Sequence, residues 1–211
     1  STVASGDIVV VDRNCHKSVH HGVVLSGAHP VYLDSALNRK YGVYGPVPKA
    51  TLFRAFEKHT DAQAVILTSC TYDGLRYDLP TIIAAAHAKG IKVIIDEAWY
   101  GFARFHPAFR PTALEAGADY ATQSTHKVLS AFSQASMIHV NDPGFNEHLF
   151  RENFNMHTST SPQYAMIASL DVARRQAMME GYKLLARTLL LAGELRRQIN
   201  STGVFRVLEL D

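Results

Sequence analysis

Short β-branched runs separated by helical stretches constrain this chain more than any other feature. Residues 8–11 form one such run, closed by Asp12, and residues 31–33 form the next, with helical spacing over 16–25 between them. A Gly/Pro-rich loop over 41–48 leads to a helix over about 50–58 and then to a buried strand at 64–67. The next helix carries its own boundary signals: Asp78 at the N-cap position, Pro80 in the first turn, Gly90 at the end, and Leu79, Ile82, Ile83 and Ala86 on one face. Residues 93–95 make a further strand that ends at Asp96. Short strands are expected near Tyr120 and over 137–140, and helices from about 145, from about 162 and over 182–199. Apolar strands alternating with helices predict an α/β fold, a three-layer αβα sandwich with a mostly parallel sheet. In such a fold the polar carboxyl ends of the strands are the natural site positions.

Composition narrows the function classes. In 211 residues, 47% are hydrophobic and 19% charged, enough apolar material for a sizeable core and too much for a disordered or collagen-like chain. Lys and Arg number 21 against 19 Asp and Glu, and the longest basic runs are pairs, Arg174-Arg175 and Arg196-Arg197, so no basic stripe points to nucleic acid. Cys15 and Cys70 form neither a disulfide framework nor a metal knuckle, which fits a reducing cytoplasm. No apolar run approaches the ~18 residues of a membrane span, and the N-terminus lacks a signal-peptide layout. The chain starts at Ser1 and stops inside a strand-like run over 204–210, so a piece of a longer polypeptide is expected.

Two constellations carry chemistry. Residues 93–99 read VIIDEAW. An acid after a buried strand can cap a turn, hold a metal in a nucleoside triphosphatase, or pair with the ring nitrogen of pyridoxal phosphate. The second reading needs a Gly-x4-Gly-Lys-Ser/Thr loop upstream, which residues 1–95 do not contain. The second constellation, TQSTHKVLSAFSQAS over 122–136, favours the third. Lys127 follows a strand among hydroxyls, with Ser124 and Ser130 as phosphate-type donors, and partial desolvation of its amine would suit a Schiff-base lysine. Asp96 precedes it by about one βα unit, the order that a pyridoxal site on a parallel sheet requires.

Other candidates have plainer readings. His16 and His20 stand four apart, as zinc ligands can, but the H-E-x-x-H pattern is absent, and no metal is expected. Cys70 reads as a small buried filler near the pocket. Leu184, Leu191, Leu195 and Ile199 have helical spacing and read as core or interface packing.

DRNCHKS (12–18), YGVYGPVP (41–48), TYDG (71–74), DEAW (96–99), QSTHK with its trailing SAFSQAS, and MHTSTSPQY (156–164) resemble, in order, the major domain of the bacterial ornithine/lysine/arginine decarboxylases. The resemblance covers most of residues 6–180 and implies a pyridoxal-phosphate-binding major domain over 1–211, of the aspartate-aminotransferase-type fold (fold type I), incomplete at both ends. It implies that Lys127 forms the Schiff base with the cofactor, Asp96 pairs with the pyridinium nitrogen and His16 stacks on the ring. Ser124 and His126 would contact the phosphate, and Trp99 would line the pocket beside Asp96. Thr158 and Thr160 would reach a neighbouring subunit's cofactor, which implies at least a homodimer. The activity implied is decarboxylation of lysine, arginine or ornithine to a diamine-type polyamine precursor and CO₂, with His16 or Lys127 returning the proton to Cα. An aminotransferase or a non-catalytic relative of the same fold are the alternatives. The family's phosphate-cradling Gly-Thr-Ser loop and small C-terminal domain are expected to lie outside this segment.

Overall fold

The computed structural model describes residues 2–208. Ile8–Asp12 (β1) leads through Lys17–Ser26 (α1) to His29–Leu33 (β2). A small antiparallel pair, Leu37–Asn38 (β3) and Val43–Tyr44 (β4), precedes Lys49–Lys58 (α2), Ala64–Thr68 (β5), Leu79–His87 (α3) and Lys92–Asp96 (β6). Two 3₁₀ turns, Ala103–Phe105 and Pro107–Phe109, lead to Tyr120–Gln123 (β7). Thr125–Val128 (α4), Met137–Val140 (β8), Glu147–His157 (α5) and Tyr164–Ser201 (α6) follow.

Six strands form one sheet in the order β2-β1-β5-β6-β7-β8, parallel throughout except for β8, which runs antiparallel to β7. The central strands are apolar on consecutive positions because both faces are covered: Val9, Val10, Val11, Ala64, Val65 and Val93 are all but inaccessible to solvent. One face packs against Leu52 and Phe56 of α2 and Leu79, Ile82, Ile83 and Ala86 of α3. The other face packs against Val23 of α1. From β1 the chain first steps to β2 on one side and then returns to β5 on the other. The crevice beyond the carboxyl ends of β1 and β5 is therefore a topological switch point, where open α/β sheets take their ligands.

Several expectations change. Asp78 occupies the N-cap position of α3 but makes no capping bond; its carboxylate takes Lys49 Nζ at 2.8 Å instead, joining the starts of α2 and α3. The Gly/Pro-rich loop contains the β3–β4 pair, whose two-residue strands are too short to leave a period-2 signal. The two helices expected from about 162 and over 182–199 are one 38-residue helix, α6. Gly181 does not break it. Ala173, Ala177 and Gly181 form a buried small-residue stripe over the 3₁₀ turn at Ala103–Phe105, and a Cβ at 181 would lie 2.9 Å from Phe105 Cβ. Leu184, Leu191 and Leu195 are 44%, 56% and 58% exposed, so the leucine stripe is not part of this chain's core. Of the strand-like run over 204–210, residues 204–208 form no strand and 209 and 210 lie outside the described residues.

A matched pair of substitutions tests the role of Gly181. Gly193, on the same helix, has nothing within 4 Å of an added Cβ. Gly193→Ala should stabilise by about 0.5–1 kcal/mol through helix propensity alone. Gly181→Ala gains the same but overpacks Phe105 at a cost of about 1–3 kcal/mol, so its thermal midpoint should fall. A rise in both midpoints would show that α6 does not need that close approach.

Candidate active site

The carboxyl end of β1 is pinned by a buried carboxylate. Asp12, 1% exposed, accepts hydrogen bonds from Tyr77 Oη (2.7 Å), Ser35 Oγ (2.9 Å) and the Asn14 N–H (2.9 Å). Tyr77 Oη also accepts the Val47 N–H at 2.9 Å, and burial together with the Asp12 charge pushes its ionisation far above the ordinary tyrosine range. With both Asp12 oxygens engaged, the turn after β1 is fixed and delivers His16 to the N-cap of α1, where its Nδ1 accepts the Ser18 N–H.

Asp96 ends β6. Its Oδ1 accepts the Ala98 N–H at 2.9 Å, and the carboxylate is half-buried. Glu97, the next residue, is wholly buried; its carboxylate accepts the Ala113 N–H at 2.7 Å and Gln123 Nε2 at 2.8 Å. After β7 the chain turns at Ser124 into the single turn of α4, which carries His126 and Lys127. Lys127 Nζ lies 5.2 Å from the centroid of the Trp99 ring, and Trp99 meets Tyr72 edge to face at 6.5 Å.

A cavity of about 190 Å³ gathers these strand ends. Asn14, His16 and Ser18 line it from β1, residues 68–72 from β5, Asp96, Ala98 and Trp99 from β6, and Thr122, Ser124 and Lys127 from β7. Five of the eight residues expected at the site thus share one cavity: His16, Asp96, Trp99, Ser124 and Lys127. His126 does not line it. Both its backbone N–H and its Nδ1 meet the Ala135 carbonyl oxygen, at 3.1 and 2.9 Å. Thr158 and Thr160 are exposed and lie outside the cavity of their own chain.

Two local expectations do not hold. Lys127, on the single turn of α4, is exposed and not drawn into the core. Ser130 Oγ is also exposed and donates to Gln176 of α6, so it supplies no donor to the cavity. Conversely, Asn14, Ser18, Thr68, Ser69, Thr71, Tyr72 and Thr122 also line the cavity without a role assigned to them from sequence. Asn14, Ser18, Thr71, Tyr72 and Thr122 fall within the motifs quoted above, whereas the signal for Thr68 and Ser69 is position alone, at the end of β5.

Burial, reinforced by the Asp12 charge, pushes the Cys15 thiol up to about 11, and burial also pushes the Cys70 thiol up. His16 and His20 do not converge as metal ligands: His16 Nδ1 is engaged by Ser18, while His20 Nδ1 meets Tyr32 Oη at 3.0 Å. The cavity therefore offers one carboxylate, one primary amine, an imidazole and several hydroxyls. Pyridoxal phosphate fits that set. Asp96 could serve its ring nitrogen and Lys127 its aldehyde carbon, and the cavity hydroxyls, Ser124 among them, could donate to its phosphate.

Residues 1–210 match the family described as Orn/Lys/Arg decarboxylase, major domain. The chain is 41% identical to lysine decarboxylase LdcA of Pseudomonas aeruginosa, over 86% of this chain and 27% of that protein. The solved constitutive lysine decarboxylase of E. coli superposes with a TM-score of 0.78 at 31% identity, over 94% of this chain and 29% of that one. A serine palmitoyltransferase from S. paucimobilis solved with bound PLP shares the fold, with a TM-score of 0.64 at 19% identity. The chain spans under a third of the length of either lysine decarboxylase.

Tyr77→Phe should destabilise the chain by about 1–3 kcal/mol, because it leaves a buried Asp12 oxygen and the Val47 N–H without their shared partner. The midpoint of urea denaturation measures it. An unchanged midpoint would show that the hydroxyl is not what holds the turn before His16.

Proposed function

The chain belongs to the Orn/Lys/Arg decarboxylase family, and from that premise we propose that it is the cofactor-binding part of a pyridoxal-phosphate-dependent decarboxylase of a basic amino acid. The observation that supports this most directly is the meeting of Asp96, Lys127 and His16 in one cavity at the carboxyl ends of three parallel strands.

When bound, pyridoxal phosphate would supply an electron sink for the charge left at Cα as CO₂ departs. The protein's own contribution is holding and proton transfer. Asp96, its Oδ1 fixed by the Ala98 N–H, presents a carboxylate that would keep the ring nitrogen protonated. Lys127 would hold the cofactor's aldehyde carbon, and the Trp99 face, against which its amine lies here, would support that amine whenever it is free. His16 would bear on the ring and limit its tilt. His16 and Lys127, which both line the cavity, are the groups that would return a proton to Cα. His126, held by the Ala135 carbonyl, would act on the phosphate only from the edge of the site.

Asp96 is the one carboxylate lining the cavity among the described residues, and in this reading it would be committed to the ring nitrogen. The acid that reads the substrate's distal ammonium or guanidinium would then come from another segment or a second subunit. That requirement, with Thr158 and Thr160 exposed on the segment between α5 and α6, supports a homo-oligomer in which these threonines approach the neighbour's phosphate.

Borohydride reduction of the full-length protein with pyridoxal phosphate should leave a pyridoxyl label on Lys127, located by mass spectrometry. Turnover of lysine, arginine or ornithine should release CO₂ and the corresponding amine in equal amounts. Lys127→Ala should lower kcat by at least about 100-fold. A label elsewhere, or a keto acid as product, would overturn the proposal.

A further inference from the structure

Directly behind the cavity, three side chains link β6, β7 and β8. Side chains alternate along a strand, so Asp96 lines the cavity while Glu97 turns into the interior. Gln123 and Ser124 divide in the same way, with Ser124 in the cavity wall. Glu97 Oε2 accepts Gln123 Nε2 at 2.8 Å, and Gln123 Oε1 faces His139 Nε2 at 3.0 Å. The Glu97 N–H donates to the Thr122 carbonyl at 2.8 Å, so side chain and main chain tie the same two strand ends together.

We propose that Glu97 and Gln123 are positioning residues: their hydrogen-bonded pair sets the spacing between Asp96 on β6 and the Ser124–Lys127 turn after β7. The inference rests on the reading of that cavity as a pyridoxal-phosphate site. Glu97 is wholly buried, and among the described residues no cation pairs with it. A carboxylate in the core without a counter-charge is costly, and an apolar residue would fill the space more cheaply unless the acceptors are needed. Here they are needed in a fixed sense. The Ala113 N–H can only donate, so Oε1 must accept, and an ionised carboxylate at Oε2 can only accept, which turns the Gln123 amide so that its NH₂ faces Glu97 and its oxygen faces His139. Burial pushes the Glu97 carboxyl up; the bonds from Gln123 and Ala113 draw it back, and Glu115 raises it again. Tyr100 and Cys70 are the other titratable groups that feel its charge, and burial pushes the His139 imidazole down.

Donor and acceptor logic gives the test. E97Q can satisfy every group only if Gln123 turns over and offers its NH₂ to a neutral His139. Q123E sets a second, partly buried carboxylate against the buried one at Glu97, which strongly disfavours ionisation of both. The double variant E97Q/Q123E restores the pattern in reverse: the amide at 97 donates to the acid at 123, which can also accept from His139. Full-length wild type and the three variants are titrated with pyridoxal phosphate, with its dissociation constant, the pH midpoint of its visible absorbance band and the thermal midpoint as readouts.

Q123E is expected to weaken cofactor binding by about 10-fold or more and to move the absorbance midpoint by about 0.5 pH unit or more. E97Q should show a smaller change in the same direction, and the double variant should return close to wild type. If Q123E does not fold, recovery of a folded, cofactor-loaded double variant is the same rescue. Variants that lose only thermal stability, with dissociation constant and absorbance midpoint unchanged, would overturn the inference while leaving the cofactor site intact. Wild type that takes up no cofactor would instead overturn the reading of the cavity, and this inference with it.

Discussion

A parallel sheet buried on both faces leaves polar side chains almost nowhere to go except the ends of its strands. That constraint organises the rest of this molecule. Val9 to Val11, Val65 and Val93 are shut from solvent by helices on either side, and each neighbouring strand ends in, or is directly followed by, residues that can hydrogen-bond: Asp12, Thr68, Asp96, Thr122 and Gln123. The order β2-β1-β5-β6-β7-β8 then decides which of these ends face one crevice, because the reversal between β1 and β5 sends α1 to one face and α2 and α3 to the other. The cavity is a consequence of topology before it is a consequence of any particular side chain.

The two aspartates show how much the surroundings add. In sequence they look alike, each closing a short β-branched run. Asp12 is sealed, with Tyr77, Ser35 and Asn14 occupying its oxygens, and its work is to hold the turn that carries Asn14 and His16. Asp96 keeps one fixed bond, to the Ala98 N–H, and opens onto the cavity. What separates them is the hydroxyl of Tyr77, which arrives from 65 positions away. Neither residue's own segment contains that information: the DEAW and QSTHK motifs mark Asp96 as the acid offered to a ligand, but that Asp12 is sealed inside the fold appears only once Tyr77 and Ser35 are seen against it.

The same division runs through the rest of the chain. Strands β1, β5, β6 and β8 and the buried face of α3 were legible because apolar period and cap residues are local signals. The membership of His16, Asp96, Trp99, Ser124 and Lys127 in one cavity was legible through the order of motifs and the family likeness they carry. Contacts between distant segments were not. Gly181 resembles a helix break until Phe105 is seen beneath it, and Ser130 resembles a cavity donor until Gln176 is seen to take it. Glu97 looked like the second half of a motif; its burial and its link to Gln123 appear only when β6 and β7 lie side by side.

The resting place of Lys127 follows from the same separation of roles. Its ammonium meets an aromatic face and, among the described residues, no carboxylate. An ion pair with Asp96 would engage both groups with each other and leave neither for a ligand. A cation–π contact at an exposed site is worth only about 0.5–1 kcal/mol, enough to favour one position for a long side chain and little to surrender when the amine leaves it. Trp99 can do this because Ala98 and the Asp96 carboxylate define the turn on which it stands, and Tyr72 braces its edge. The acid, the amine and the ring that parks the amine are therefore kept distinct by the geometry of one strand end, and β7 brings Lys127 to them from its neighbour.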